Sequence, residues 1–332
     1  MRKIRIAQIG LNQYSHSAPI LDSLLKQQDI FEVAGLVLPE GEQERLAQKA
    51  EKYAHLPRLT LEQVLKDPTI EAVAVETDEI FLTKYATMAV KAGKHVHMEK
   101  PGGTELPAFE ELISMVKKSG KVFHTGYMYR YNVYVIDLLE RIRRGELGDI
   151  LSVEAQMNCI HPRELRRWLG AFPGGMMFYL GCHLVDLILL IQGQPQRIIP
   201  LNKSTGCNTE AQDFGMAIFE YENGISFAKT SAMEIGGYAR RQLVVTGTKG
   251  TVELKPLEMF ETGVGHYTEK TEYTEKAWNN MGQHMKTPFF DRYDGMMAAF
   301  ASYVRGEKEN PYTPDYELEL YKTVLKACGE PL

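Results

Sequence analysis

Over its first 125 residues the chain alternates short β-rich runs with helix-length stretches, and this constrains its fold more than any other feature. Ile4–Ile9 is an apolar, β-branched run that ends at Gly10. A helix pattern follows, with Ser15 or Ser17 as N-cap, Pro19 in the first turn and Ile20, Leu21, Leu24 and Leu25 on one face. Strand runs recur at 31–38, 70–75, 95–98 and 122–125, and helix patterns at 40–53, 81–92 and 107–118. Such repetition predicts an α/β architecture, a doubly wound parallel sheet covered by helices on both faces. Ligands of these sheets sit beyond the carboxyl ends of the strands. That places Gly10, Leu38, Thr77 and Glu99-Lys100 along one rim.

The pattern then changes. After a helix over 133–144 come β runs at 150–159, 197–202, 211–221, 225–232 and 242–252, with no helices between the last four. The segment Thr246-Gly247-Thr248-Lys249-Gly250-Thr251 reads as a hairpin turn. An α+β domain with an antiparallel sheet is expected. Two helices close the chain, over 289–304 and 314–328; the last has Thr313 as N-cap, Pro314 at its first position and Gly329 as its stop. Its positions Leu318, Tyr321, Val324, Leu325 and Cys328 form one apolar stripe. The expected division is therefore 1–125, 126–312, and a terminal helix over 313–332 that packs back on the first domain.

A length of 332 residues makes two domains the default. With 38 basic and 43 acidic residues, a net charge of -5 provides no basic face for nucleic acid. No apolar run approaches the ~20 residues that span a bilayer, so no membrane partner is expected. The N-terminus shows no signal-peptide core, and Cys159, Cys182, Cys207 and Cys328 are scattered without a C-x-x-C pair. A cytoplasmic protein with reduced thiols is expected. His95 and His97 lack a third ligand at readable spacing, so no metal is expected.

One apolar stretch, 176–190, is interrupted by Tyr179, His183 and Asp186, which fall at i, i+4 and i+7 and share a face. Buried polar groups need partners, so such a stripe lines a cavity or meets polar neighbours. Gly181 within it signals close approach by backbone or ligand. Nearby, His161, Arg163, Arg166 and Arg167 make a basic segment that suits an acidic or phosphorylated substrate, or simply a solvated face.

Gly10-Leu11-Asn12-Gln13-Tyr14-Ser15 stands where a dinucleotide fold carries G-x-G-x-x-G, with only the first glycine kept. The second strand ends at Leu38 where an acid would hold the ribose, and Glu40 reads as a solvated turn residue. The run Ala92-Gly93-Lys94-His95-Val96-His97-Met98-Glu99-Lys100-Pro101, however, resembles the A-G-K-H-V-x-x-E-K-P signature of the Gfo/Idh/MocA oxidoreductases. Tyr129-Arg130-Tyr131-Asn132, the segment from Gly174-Gly175 to Asp186 and the hairpin Gly247-Thr248-Lys249-Gly250-Thr251 resemble further motifs of that family in the same order. The resemblance implies a Rossmann domain followed by an open-faced antiparallel sheet, and hydride transfer between NAD or NADP and a hydroxyl-bearing carbon of a sugar, polyol or related molecule. An open face is commonly buried against another copy, so a homo-oligomer, dimer or tetramer, is expected.

Carried over by motif, the cofactor contacts are Gly10, Leu11, Asn12, Gln13, Thr77, Glu99, Lys100, Pro101 and Arg130, and the substrate contacts are Lys100, Trp168, Tyr179, His183 and Asp186. The resemblance makes Lys100 the stabiliser of a developing alkoxide and His183 the acid/base. The family's usual Asp, four residues before that histidine, is Tyr179 here. Tyr179 is then either a proton donor or hydrogen-bond partner to substrate, or a filler. Two readings stand on the sequence: a working dehydrogenase of altered substrate class, or a non-redox ligand-binding or regulatory member.

Overall fold

The computed structural model describes residues 2–332, and the chain divides into two compact units. One takes the chain up to Tyr127 together with Tyr293–Tyr321; the other takes Met128–Arg292 and Lys322–Leu332.

In the first unit the apolar runs form five parallel strands: β1 (Ile4–Ile9), β2 (Phe31–Val37), β3 (Ala72–Val75), β4 (His95–Met98) and β5 (Phe123–Thr125). They pair in parallel, as the strand–helix alternation predicts, in the order β2-β1-β3-β4-β5. Strands buried on both faces need side chains that are apolar throughout, and β3 is Ala-Val-Ala-Val, all buried. Helices Ser17–Lys26, Leu82–Lys91 and Leu106–Ser119 supply the crossovers. The chain returns to this unit earlier than the sequence boundary at 313. Helix Asp294–Val304 belongs here, with Asp294 accepting from Ser23 Oγ at 2.7 Å and Phe300 stacked 5.4 Å from the His124 ring. The last helix, Pro314–Cys328, contributes to this unit only as far as Tyr321, whose hydroxyl donates to Gly103 O at 3.0 Å.

The second unit is built on an eight-stranded sheet. In chain order its strands are β6 (Ile150–Asn158), β7 (Arg197–Pro200), β8 (Phe214–Tyr221), β9 (Gly224–Ser231), β10 (Gln242–Gly247) and β11 (Gly250–Leu254). A two-stranded ribbon follows, β12 (Met259–Glu261) with β13 (Gly265–Tyr267), and then β14 (Glu269–Tyr273) and β15 (Gln283–Lys286) complete the sheet. The order is β15-β14-β11-β10-β6-β9-β8-β7. The hairpin expected over 246–251 joins β10 to β11. The expected antiparallel sheet is broken at one place, since β6 pairs with β9 in parallel. The two are not consecutive: β9 is placed by its hairpin with β8, so the register beside β6 is set by a long connection that no local turn signal reports.

The polar-striped stretch is not one α-helix. Met177–Gly181 is a π-turn that runs into the α-helix Cys182–Gln192. A Cβ on Gly181 would collide with Met177 Sδ within this wider turn and lie 3.4 Å from Thr230 on β9. The close approach that Gly181 permits is therefore by the protein itself.

Candidate functional site

In the first unit, a set of polar residues gathers at the carboxyl ends of β1, β3 and β4. Gly10 ends β1 with φ +97°, and a Cβ there would overlap the Thr77 backbone, so no other residue fits. Asn12 keeps a negative φ and acts through its side chain instead. Its Nδ2 donates to Glu79 Oε2 at 2.7 Å and to Thr77 O at 3.2 Å, while its Oδ1 accepts from Tyr14 N at 2.9 Å. In the helix Ser17–Lys26 that follows, the N-cap residue His16 makes no side-chain cap bond, and the first turn is engaged instead by Ser15 Oγ, which accepts from Ser17 N at 3.3 Å. Lys49 adds positive charge there, donating to Asn12 O and, at 3.1 Å, to Ser17 Oγ.

An acid that the sequence did not single out lies close to the loop after β1. Glu42, wholly buried, accepts from Leu11 N and from Thr77 Oγ1, both at 2.8 Å. Burial pushes its carboxyl up to about 7. Glu40, with φ +54°, turns back onto Lys84 and accepts from the Tyr85 hydroxyl at 2.6 Å. Between these elements Leu38, Pro39, Arg58, Thr60 and Tyr85 line a cavity of ≈ 530 Å³.

Lys100, two residues beyond β4, is almost wholly buried, and its peptide bond to Pro101 is cis. Its ammonium lies 3.4 Å from Glu99 Oε1. Two further buried acids, Glu76 and Glu79, feel the same positive charge. Burial nevertheless raises all three, Glu76 to about 8 and Glu79 and Glu99 to about 7. Neither Glu76 carboxyl oxygen has a hydrogen-bond partner, and His97 Nε2 stands 3.4 Å away. His97 in turn meets His124 across the sheet, Nδ1 to Nδ1 at 2.7 Å, and burial drops it to about 4. His97 is thus neutral, Glu76 holds its proton at neutral pH, and Glu79 and Glu99 titrate close to it.

This arrangement has a pH signature. An acid raised from 4.5 to about 8 binds its proton more tightly folded than unfolded, so its contribution is full below pH 4.5 and is lost as pH rises through the folded value. The melting temperature is therefore expected to fall between about pH 5 and about pH 8.5, with Glu76→Gln flattening that fall and melting higher at the alkaline end. A wild-type profile that is flat over this range would contradict the assignment.

In the second unit, Tyr179 sits on the π-turn and His183 at the start of the following helix, both nearly buried. Trp168 meets the Tyr179 ring edge-on at 5.3 Å, and the His161 ring lies 6.2 Å from it. Tyr129 meets His183 edge-on at 5.4 Å. Asp186, expected to face substrate, instead accepts from Arg130, Nη2 to Oδ1 at 2.8 Å and Nε to Oδ2 at 2.9 Å. Arg130, expected to hold cofactor, is only 2% exposed. A buried guanidinium demands a carboxylate, and Asp186 supplies it to Arg130. The basic segment also reads differently in three dimensions. Arg166 is engaged by Asp213 at 3.1 Å and by Cys207 O at 2.6 Å, while Arg163 is exposed and donates to Asn208 O.

The chain matches two family profiles in tandem: the oxidoreductase family with an NAD-binding Rossmann fold over residues 4–127, and the GFO/IDH/MocA C-terminal domain over 135–253. It belongs to the Gfo/Idh/MocA oxidoreductase family. Trans-1,2-dihydrobenzene-1,2-diol dehydrogenase of Bos taurus is 26% identical over 282 residues, covering 80% of this chain and 78% of that protein. The NADP-dependent scyllo-inositol 2-dehydrogenase IolW of Bacillus subtilis is 24% identical over 237 residues, 71% of this chain and 62% of its own length. Among solved structures, an oxidoreductase from Thermotoga maritima aligns with a TM-score of 0.79 at 19% identity, over 98% of this chain and 96% of that one. The 3-ketoreductase KijD10 of Actinomadura kijaniata, solved with NADP and TDP-benzene, aligns with a TM-score of 0.79 at 17% identity, over 97% and 96% of the two chains. No helix of the described residues is long and apolar enough to cross a membrane.

The first unit is thus of the NAD(P)-binding Rossmann kind, and its residues suit a dinucleotide. Gly10 lets the loop after β1 pack on the Thr77 backbone, Lys49 brings a positive charge to the start of the following helix that suits a pyrophosphate, and Glu42 brings an acid to the loop. The bare Glu76 oxygens are acceptors for donor groups such as a carboxamide or hydroxyls.

Proposed function

We propose that this protein is an NAD(P)-dependent oxidoreductase acting on a hydroxyl-bearing carbon of a sugar, polyol or related small molecule. The observation that carries the reading is Lys100, a buried ammonium fixed among Glu76, Glu79 and Glu99 at the carboxyl end of β4 in a dinucleotide-type sheet. A bound nicotinamide would accept or return the hydride. Gly10, Leu11, Asn12, Gln13, Thr77, Glu99, Lys100 and Pro101 line the rim that holds it. Lys100 stabilises negative charge developing on the substrate oxygen, and a low-dielectric surrounding strengthens that effect. His183 takes or returns the hydroxyl proton. Tyr179 and Trp168 provide an aromatic wall for the substrate, and the polyol-type substrates of the relatives favour the same class here.

Calorimetric titration with NAD+, NADH, NADP+ and NADPH separates the possibilities. Saturable binding of at least one form below about 1 mM is expected, which corresponds to ~4 kcal/mol or more of affinity. Absence of binding by all four would overturn the oxidoreductase reading.

A further inference from the structure

The second unit holds a positive charge that nothing in the preceding mechanism uses. Arg241 precedes β10 and is 7% exposed, with Cζ 4.3 Å from the Tyr238 ring centroid. Its Nη1 donates to the Tyr129 hydroxyl at 3.2 Å, and its Nε has no hydrogen-bond partner. The nearest carboxylate, Glu258, stands 3.8 Å away. Glu258 is already committed: Arg292 grips both of its oxygens, and the Tyr238 hydroxyl donates to it at 2.9 Å. Arg241 thus meets Glu258 only at long range, with its Nε unanswered. A guanidinium stays protonated in a protein, so its charge cannot be removed by titration. A buried charge with an unanswered donor is costly unless an anion completes it.

The surroundings connect Arg241 to the residues read as substrate-facing. Tyr129 touches Arg241 through its hydroxyl and His183 through its ring edge. On the other side, the positive field of Arg241 reaches His161 and Cys159, whose Nε2 and Sγ lie 3.1 Å apart. His161 in turn faces Tyr179. Arg241 is thus linked through one aromatic ring to His183 and through another to Tyr179. The arginines that the sequence made conspicuous cannot replace it, because Arg166 is paired with Asp213 and Arg163 lies exposed on a carbonyl.

We propose that Arg241 is the anion anchor of the substrate site, so that the substrate carries a carboxylate or phosphate group as well as the reacting hydroxyl. The proposal rests on the reading of His183 and Tyr179 as substrate-facing, and not on turnover. A planar fork with an open Nε suits two oxygens of one anionic group. Holding that group fixes the sugar or polyol relative to His183, and an uncharged analogue would leave the guanidinium uncompensated.

The test is calorimetric titration of the full-length protein, without nicotinamide, using inorganic phosphate, acetate, D-glucuronate and D-glucose. At least one anion is expected to saturate one site below about 50 mM, with D-glucuronate at least ~10-fold tighter than D-glucose. Phosphate binding above acetate would assign a phosphorylated substrate, and the reverse order a carboxylic acid. Arg241→Gln should weaken the anion at least ~10-fold, a difference of about 1.4 kcal/mol. Arg241→Lys, which keeps the charge and loses the fork, should fall between the two with an unchanged denaturation midpoint; it decides the matter should the glutamine variant fail to fold. Anions that bind no better than glucose, or affinities that survive both substitutions, overturn the proposal. Anion binding by a protein that takes no dinucleotide would overturn the oxidoreductase reading and leave this one standing.

Discussion

Asp186→Ala is expected to destabilise the second unit by about 3–5 kcal/mol, the usual loss when one partner of a buried ion pair is removed. Arg130 is among the largest fully buried side chains, and Asp186 is 1% exposed. Their three hydrogen bonds, 2.8 to 3.2 Å, tie the segment Met128–Tyr131 to the helix that carries His183. Alanine would leave the guanidinium charged in a site that water does not reach. Asp186→Asn keeps an acceptor and should lose less. The double variant Arg130→Met, Asp186→Leu should recover much of the loss, because an apolar pair of similar volume replaces a desolvated ionic one. Urea denaturation followed by fluorescence measures all three. A loss below about 1 kcal/mol for Asp186→Ala would mean that solvent or another group satisfies Arg130.

That pair also shows how far a stripe of polar residues can be read. The sequence placed Tyr179, His183 and Asp186 on one face, but a π-turn carries the first and an α-helix the other two, and each meets a different partner: Trp168, Tyr129 and Arg130. Spacing cannot say which of them is answered from elsewhere, since Arg130 arrives from 56 positions away. The same limit governs the first unit. Alternating strands and helices, Gly10 and the Glu99-Lys100-Pro101 run were legible because each is local: a period, a φ angle, a contiguous motif. Glu42 was not, because a glutamate in a charged helix looks solvated until the fold closes it onto Leu11 and Thr77. Glu76 and Glu79 carried a weak signal, two acids directly after an apolar strand, where burial is the default and acids are costly. Arg241 lay next to Arg240 with no pattern to separate an exposed guanidinium from a buried one. Parallel pairing of β6 with β9 is likewise a matter of long-range register.

On an oxidisable substrate, Lys100→Ala and His183→Ala are each expected to lower kcat by roughly 10² or more, with smaller changes in KM. In the proposed mechanism both groups act where charge and protons move, so their loss would fall on the chemical step. Tyr179 separates two accounts of the residue that replaces the family's aspartate. In its own unit Lys100 is surrounded by Glu76, Glu79 and Glu99, so polar partners for its ammonium do not depend on an aspartate at position 179. Tyr179 is therefore free for another role, and its ring is held edge-on by Trp168. Tyr179→Phe keeps the ring and removes the hydroxyl. A loss of about 10² in kcat makes the hydroxyl a proton donor or orienting partner, whereas near-unchanged kcat with intact Tm makes the ring a packing element. Tyr179→Asp would put a carboxylate into a wall lined by Trp168 and His161, and native activity is expected to fall with it. A gain of sugar dehydrogenase activity in that variant, where the wild type has none, would refute the view that Tyr179 adapts a working site.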